Sequence, residues 1–300
     1  MSNKNTNLNN VKKQSFERDE WYTTFKDIEA EVYRYKDQLK DKVICCPCDW
    51  DESFERVVCY ENGATNEEVV SKIKSTKCNF IKFLTSQAHD FGIKKIIASG
   101  YNPVTKQGTR FQDVDYSEVD VVITNPPYSQ FMEFINKMLD CNLTFLVVGP
   151  LNAITYKDFF PLLKENKLWL GYAKSFSGFV KPDGSIVPKG NDVWYTNLDV
   201  SYRHDWMILT EEYSPEKYPK YDNYDAIEVS KQKLIPEDYD GVMGVPISFL
   251  QSHNHEQFEL VGNEYTLNIK KGRGYVAGKR KFSRVFIKRK RAQNKNDDEN

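Results

Sequence analysis

The sequence has no apolar run near the roughly 18 to 20 residues that a helix needs to cross a bilayer. Its longest candidate, Leu143–Leu151, is short and contains Gly149 and Pro150. The first fourteen residues, MSNKNTNLNNVKKQ, lack the apolar core of a secretory signal. These absences predict a cytoplasmic protein without membrane contact. Cysteine is scarce, with six in 300 residues. Cys59, Cys78 and Cys141 are scattered singly, and Cys45, Cys46 and Cys48 share one apolar stretch. No second Cys or His pair follows at zinc-ligand spacing, which argues against a metal and for reduced, mostly buried thiols. The four histidines, His89, His204, His253 and His255, form no ligand set and read as surface or loop residues. No Ser-His-Asp or Cys-His arrangement is apparent, so covalent catalysis has no candidate nucleophile. Internal repeats are also missing.

A chain of 300 residues with a hydrophobic fraction of 40% can bury one large core or two modest ones. Net charge is -1 but unevenly placed. Lys270–Arg291 holds eleven Lys or Arg and no acid, so the remaining 31 of the 42 basic residues face all 43 acidic ones. A basic C-terminal segment on an acidic body is the pattern of a polyanion-binding surface, although a solvated tail has the same composition. In 278–290, GKRKFSRVFIKRK, Phe282, Val285, Phe286 and Ile287 interleave with the charges. That favours an ordered, basic edge element.

Along the chain, Trp21, Phe25, Ile28, Val32, Tyr35 and Leu39 are spaced within 19–39 for a helix that follows a short aromatic entry. Lys42–Cys48 is an apolar run with Pro47 and Asp49 at its end, the pattern of a buried strand emptying into a loop. Residues 65–91 predict helix, Gly92 a C-cap, and Ile93–Ser99 a second strand. Asp120–Thr124 is a third strand, 129–140 a helix and Leu143–Val148 a fourth strand. This alternation predicts an α/β fold whose mostly parallel sheet carries helices on both faces. Further on, the pattern predicts helix at 156–165 and β structure at 168–180 and 193–210. From 213 to 250 the chain is rich in Tyr, Pro and Asp, which marks a domain boundary.

The sharpest signal is DVVITNPPYSQF, residues 120–131. Two prolines fix φ and remove two N–H donors, and Pro126 pushes Asn125 out of the helical region. The result is a stiff loop at the carboxyl end of a parallel strand, where open α/β sheets bind ligands. It offers two acceptors, the Asn125 side-chain oxygen and the Pro126 carbonyl, followed by Pro127 and the aromatic face of Tyr128. Such a set suits methylation of an aromatic amine. The exocyclic nitrogen of adenine is a poor nucleophile because its lone pair is delocalised. Two acceptors on its N–H groups favour a tetrahedral geometry and stabilise the positive charge that develops on transfer. Tyr128 holds the base by stacking, and alignment with a sulfonium methyl donor supplies much of the rate. The tetrapeptide alone does not choose among adenine, guanine of ribosomal RNA and the glutamine amide of proteins.

Around this motif the wider chain resembles the adenine-specific DNA methyltransferases of the EcoRI type, over most of residues 19–291. The resemblance rests on DEWYTTFKDIE (19–29), KVICCPCD (42–49), CNFIKFL (78–84), FGIKKIIASGY (91–101), WYTNLD (194–199), KYDNYDAIEV (220–229) and DYDGVMGVPISFL (238–250). It implies a class I, Rossmann-like fold using S-adenosylmethionine, with double-stranded DNA as partner. Base flipping follows, because an adenine inside a duplex cannot reach a strand-end loop. By the same resemblance Trp21, Tyr22 and Thr23 contact the cofactor, as do Cys46, Pro47, Cys48 and Asp49. Asn125 is shared between cofactor and base. The chain departs from the general methyltransferase pattern in having no G-x-G after the first strand, and Trp50–Lys77 looks like an insertion. Asp113 or Asp115 matches an acid that contacts the cofactor's adenine ring, with Asp113 preferred. Trp194 and Asn197 are expected to be structural.

The organisation expected from this is a disordered N-terminus (1–14), a cofactor-binding catalytic domain (15–212), a target-recognition, DNA-contacting region (213–291) and a disordered tail (292–300). Lys279, Arg280, Lys281, Arg284, Lys288 and Arg289 are the expected phosphate contacts. A restriction endonuclease paired in function, without direct binding, is a candidate partner. The alternatives are an RNA or protein-glutamine methyltransferase, and a catalytically silent DNA-binding relative.

Overall fold

Four short strands, apolar and buried along almost their whole length, form the centre of the first half of the chain. The computed structural model describes residues 21–50, 55–72, 78–181, 183–188, 191–269 and 273–290. The ends expected to be disordered, 1–14 and 292–300, lie outside the described residues. Two compact units emerge: one runs to Leu151 and adds Leu170–Asp199, and the other comprises Asn152–Trp169 and the chain from Val200.

In the first unit the elements are β1 (Tyr22–Thr23), α1 (Phe25–Val32), β2 (Val43–Cys46), β3 (Val57–Glu61), β4 (Ala64–Thr65), α2 (Glu67–Lys72), α3 (Asn79–Gln87) and β5 (Lys95–Ala98). A small hairpin, β6 (Tyr101–Asn102) and β7 (Gln107–Gly108), precedes β8 (Val121–Thr124), α4 (Phe131–Asp140) and β9 (Thr144–Pro150). After α5 (Phe160–Lys164), which belongs to the second unit, come β10 (Trp169–Leu170), β11 (Gly178–Val180), β12 (Ile186–Pro188) and β13 (Asp192–Thr196).

The large sheet has the order β10-β13-β9-β8-β2-β5-β3-β4. Strands β5, β2, β8 and β9 are mutually parallel, with Ile44 opposite both Ile96 and Val121, and Ile123 opposite Leu146. Strands buried on both faces read as continuous apolar runs, which is why these four were visible in the sequence. Antiparallel strands close the flanks, β13 on β9 and the β3–β4 hairpin on β5. From β2 the chain moves to β5 on one side and then returns to β8 on the other. The junction between β2 and β8 is therefore the switch point at which open α/β sheets take ligands.

Successive strand residues point to opposite faces, and Trp194 and Tyr195 show what covers each. Trp194 packs on Phe80 of α3 and Phe176, whereas Tyr195 packs on Phe131 of α4. Helices thus lie on both faces, as expected. Trp194 is fully buried, and Asn197 pins β13 to β9 through Phe145 N (2.8 Å) and Leu143 O (3.0 Å). Both are structural residues.

Several boundaries differ from the sequence reading. The helix expected within 19–39 after a short aromatic entry starts at Phe25, because Thr24 caps it by accepting from Asp27 N at 3.2 Å. In that entry Tyr22 and Thr23 are extended and pair with Val180 and Phe179. Of the helix expected over 65–91, the described residues show α2 and α3; 73–77 lie outside them. The first part of the Trp50–Lys77 stretch carries β3 and β4. Residues 197–210 hold a turn and loop rather than strand. His253 is not on the surface: it is buried with Nε2 3.0 Å from Phe258 O, and burial pushes its pKa down to about 4.

The second unit is built on β14 (Ile227–Glu228), β15 (Met243–Pro246), β16 (Phe258–Asn263) and β19 (Arg284–Arg289), in the order β14-β15-β19-β16. A hairpin of β17 (Tyr275–Val276) and β18 (Lys279–Arg280) precedes β19. The described part of the basic segment, 273–290, is ordered, but β19 is an interior strand and not an edge: it pairs on both sides, with Val285, Phe286 and Ile287 fully buried. The unit begins at Val200, ahead of the change in composition at 213, and also takes in 152–169. Asn263 Nδ2 donates to Ile154 O (2.8 Å) and Lys164 Nζ to Val261 O (3.1 Å), which ties that segment to β16. Among the described residues, no helix is long and apolar enough to cross a membrane.

Candidate active site

At the switch point, the ends of β2 and β8 meet the extended segment before α1. Trp21, Tyr22, Thr23, Cys48, Asp49, Asn79, Phe80 and Asn125 line one depression. The sequence reading singled out six of these eight. The other two, Asn79 and Phe80, come from the start of α3 and were read as helix and as part of the CNFIKFL block, without a role in the site. Asn79 is buried, and its Nδ2 donates to Thr23 O at 3.0 Å, fixing the extended segment over the strand ends. An Asn immediately before the apolar residues of a predicted helix was the available signal.

The motif after β8 is organised as its two prolines demand. Pro127 is extended (φ -62°, ψ 124°), a short turn covers Tyr128–Gln130, and α4 begins at Phe131. Phe131 anchors this corner by packing over Gly149 of β9, where a Cβ would overlap its ring. Pro126 is buried, while Asn125, Pro127 and Tyr128 are half-buried. Asn125 Nδ2 donates to Trp21 O at 2.8 Å. That bond fixes the orientation of the amide and leaves Oδ1 as a pure acceptor. Among the described residues, buried Asn125 Oδ1 and Thr23 Oγ1 have no hydrogen-bond partner. Unmatched buried polar atoms are disfavoured by about 1 to 3 kcal/mol each unless a ligand satisfies them.

Asp49 lines the same depression. It accepts from Thr124 Oγ1 at 2.5 Å, and its N–H donates to Ser99 O at 3.3 Å. Burial pushes its carboxyl up to about 8, against the lowering effect of Thr124. The half-buried Cys48 thiol is likewise held well above its ordinary value by burial and then by Asp49. Cys46 and Pro47 are buried and do not line the depression, so they shape it from behind. Cys45 and Cys59 are pushed up to about 12 by burial, which makes them inert thiols. All six cysteines are free, and no group of metal-binding side chains occurs among the described residues.

Asp113 is not brought to this depression; it is exposed in the loop before β8. Asp115 is exposed too, with its carboxylate held below the usual range by the Ser117 N–H. In the second unit, Lys279, Arg280 and Lys288 are exposed, and Lys281 and Arg289 are half-buried. Arg284 stands apart from these cations. It is buried, with Nη2 2.5 Å and Nε 3.2 Å from Glu228 Oε1, so its charge is neutralised inside the unit.

The family described as adenine-specific methyltransferase EcoRI matches residues 7–58 and 114–299. The chain is 34% identical to the Type II methyltransferase M.EcoRI of Escherichia coli, over 92% of this chain and 94% of that protein. It is 33% identical to the Type II methyltransferase M.MpnI of Mycoplasma pneumoniae (90% and 95%) and 31% identical to M.MgeORF184P of Mycoplasma genitalium (90% and 95%). No solved structure matches. The stretch between the two matched blocks, 59–113, contains most of β3, α3 and β5, so Asn79 and Phe80 lie outside the family's matched blocks. With both matched blocks spanning the switch point and the second unit, this chain belongs to the EcoRI family of adenine-specific methyltransferases.

Proposed function

We propose that the protein transfers a methyl group from S-adenosylmethionine to the exocyclic N6 of adenine in a specific double-stranded DNA site. The observation that carries this is the Asn125 amide, whose nitrogen is committed to Trp21 O while its oxygen is buried and unmatched. An acceptor so oriented suits an amino group and not a carbonyl.

The depression fits the cofactor on its own chemistry. Asp49 is a buried carboxyl without a cationic partner among the described residues, suited to an ammonium group, and the Thr23 hydroxyl in the same depression has no hydrogen-bond partner among them. Trp21 and Phe80 add aromatic surface. When bound, S-adenosylmethionine supplies an electrophilic methyl group on a positively charged sulfur. Asn125 Oδ1 and the Pro126 carbonyl accept the two N–H bonds of the base, raise the nucleophilicity of its nitrogen and stabilise the cationic charge on it during transfer. Tyr128 stacks on the base, and the proline-locked backbone keeps both acceptors in place without reorganisation.

A base in a duplex reaches such a corner only when flipped out. The exposed Lys279, Arg280 and Lys288, with Lys281 and Arg289, supply phosphate contacts that hold the duplex meanwhile. In this reading the first unit is catalytic and the second recognises the target. The protein acts in the cytoplasm in restriction-modification or in protection of phage or host DNA, paired at most in function with an endonuclease. Sequencing native DNA from a strain expressing the protein tests the proposal, since it reports activity, base and site together. The expected result is modified adenine at one recurring sequence. Methyl label found only in RNA or protein would reject it.

A further inference from the structure

Phe282 is 88% exposed. A single exposed aromatic is unremarkable by itself; what distinguishes this one is how the backbone beneath it is held. Arg284 Nη1 donates to the carbonyls of Phe282 and Ser283, each at 3.4 Å. The same guanidinium is locked by Glu228, which also accepts from the Tyr221 hydroxyl. Arg284 N donates to Glu264 Oε1 at 3.0 Å. Upstream, the β17–β18 hairpin reverses through Ala277 (φ 47°) and Gly278 (φ 72°), the two-residue turn that matches strand twist. Both turn N–H groups donate to Asp222, at 3.0 and 2.8 Å. Lys281 N then bonds Gly274 O at 2.9 Å. The exposed ring is therefore carried on a loop pinned on both sides, next to the exposed Lys279 and Arg280, in a stretch from Lys270 to Arg291 without an acid.

We infer that Phe282 is a wedge that stacks on or between bases of duplex DNA, with Lys279 and Arg280 on the flanking phosphates and Arg284 as the positioning residue beneath it. The inference rests on the DNA reading above and adds to it the element that distorts the duplex. An aromatic wedge must unstack bases, and a pre-set backbone keeps binding from also bearing the ordering of the loop. The same pairing of aromatic and cations fits an anionic membrane surface; membership of a DNA-modifying family favours the duplex.

The test uses the full chain and duplexes carrying 2-aminopurine at one position at a time, both of mixed sequence and of the methylated site. Wild type should enhance fluorescence at the target position and at a second, separate step. Phe282→Ala should lose the second signal and bind about 5- to 100-fold more weakly, at unchanged Tm because the ring is exposed. Phe282→Trp should keep both signals. Lys279→Gln with Arg280→Gln should flatten the salt dependence of binding by about two phosphate contacts and leave the second signal in place. A Phe282→Ala variant with wild-type affinity and fluorescence map would overturn the inference. So would Phe282-dependent binding to phosphatidylserine vesicles combined with DNA binding that ignores Phe282. Wild type that transfers no methyl yet binds duplex through Phe282 would remove the methylation reading and keep the wedge. Normal methylation by a Phe282→Ala variant whose binding is unaltered would do the reverse.

Discussion

Asp49→Asn should make the free protein more stable at neutral pH while weakening its hold on the cofactor. The carboxyl's ordinary value is 3.8, and burial raises it to about 8 in the folded chain. Below about pH 4 both folded and unfolded states are protonated, and the group contributes nothing to pH dependence. Between about pH 4 and 8 only the unfolded chain ionises, so stability falls by about 1.36 kcal/mol per unit. At pH 7 that amounts to about three units, or roughly 4 kcal/mol of stability lost to this one side chain. Asparagine has nearly the same shape, keeps an oxygen for Thr124 Oγ1 and cannot ionise. Urea denaturation of wild type and variant at pH 4.5, 6, 7 and 8 should therefore show a gain that grows with pH and levels off near 8. Titration with S-adenosylmethionine should show the opposite side of the trade. A cationic group binds the ionised carboxylate, so wild-type affinity should rise between pH 6 and 7.5, by at most tenfold per unit, and the variant should lose both affinity and this slope. A variant no more stable than wild type at pH 7, or equally stabilised at pH 4.5, would refute the reasoning.

Asn125→Ala should lower kcat by about 10²- to 10³-fold, the usual consequence of removing one pre-positioned group that meets developing charge, at near-normal DNA affinity; single-turnover methyl transfer measures it. Arg284→Ala should destabilise the second unit by about 3 to 5 kcal/mol, because Glu228 would be left buried without its partner. Lys279→Ala, on an exposed residue, should leave Tm unchanged and lower the salt slope of DNA binding by about one. Gly149→Ala should cost about 1 to 3 kcal/mol and reduce transfer, since the added methyl pushes Phe131 and with it the start of α4 after the motif; thermal melting and initial rates report the two effects.

What could be read in the sequence follows from how local each signal is. The strands at 43–46, 95–98, 121–124 and 144–150 are covered on both faces, so their composition alone announced them. The Asn-Pro-Pro-Tyr corner was legible because proline acts on its own φ and its neighbour's, whatever surrounds it. The aromatic entry before the first helix was legible, but its strand form was not: pairing of Tyr22 with Val180 and of Thr23 with Phe179, far away in sequence, decides it. Distance in sequence also hid Asn79, whose partner is Thr23, and Arg284, whose partner is Glu228. A charge count treats Arg284 like Lys279, and only the register of β19 separates the buried cation from the exposed one. His253 lies in a loop, as one of the two readings had it, but its burial was hidden for the same reason, since nothing in that polar stretch marks the Phe258 carbonyl that satisfies it.

The most direct measurement is mass spectrometry of nucleosides after incubating the protein with trideuteromethyl-labelled cofactor and a mixture of duplex DNA, RNA and protein. The Asn125 corner predicts that the label appears as deuterated N6-methyl-2′-deoxyadenosine and vanishes with Asn125→Ala. Label on another base, in RNA or on glutamine, or full labelling by the variant, would contradict it.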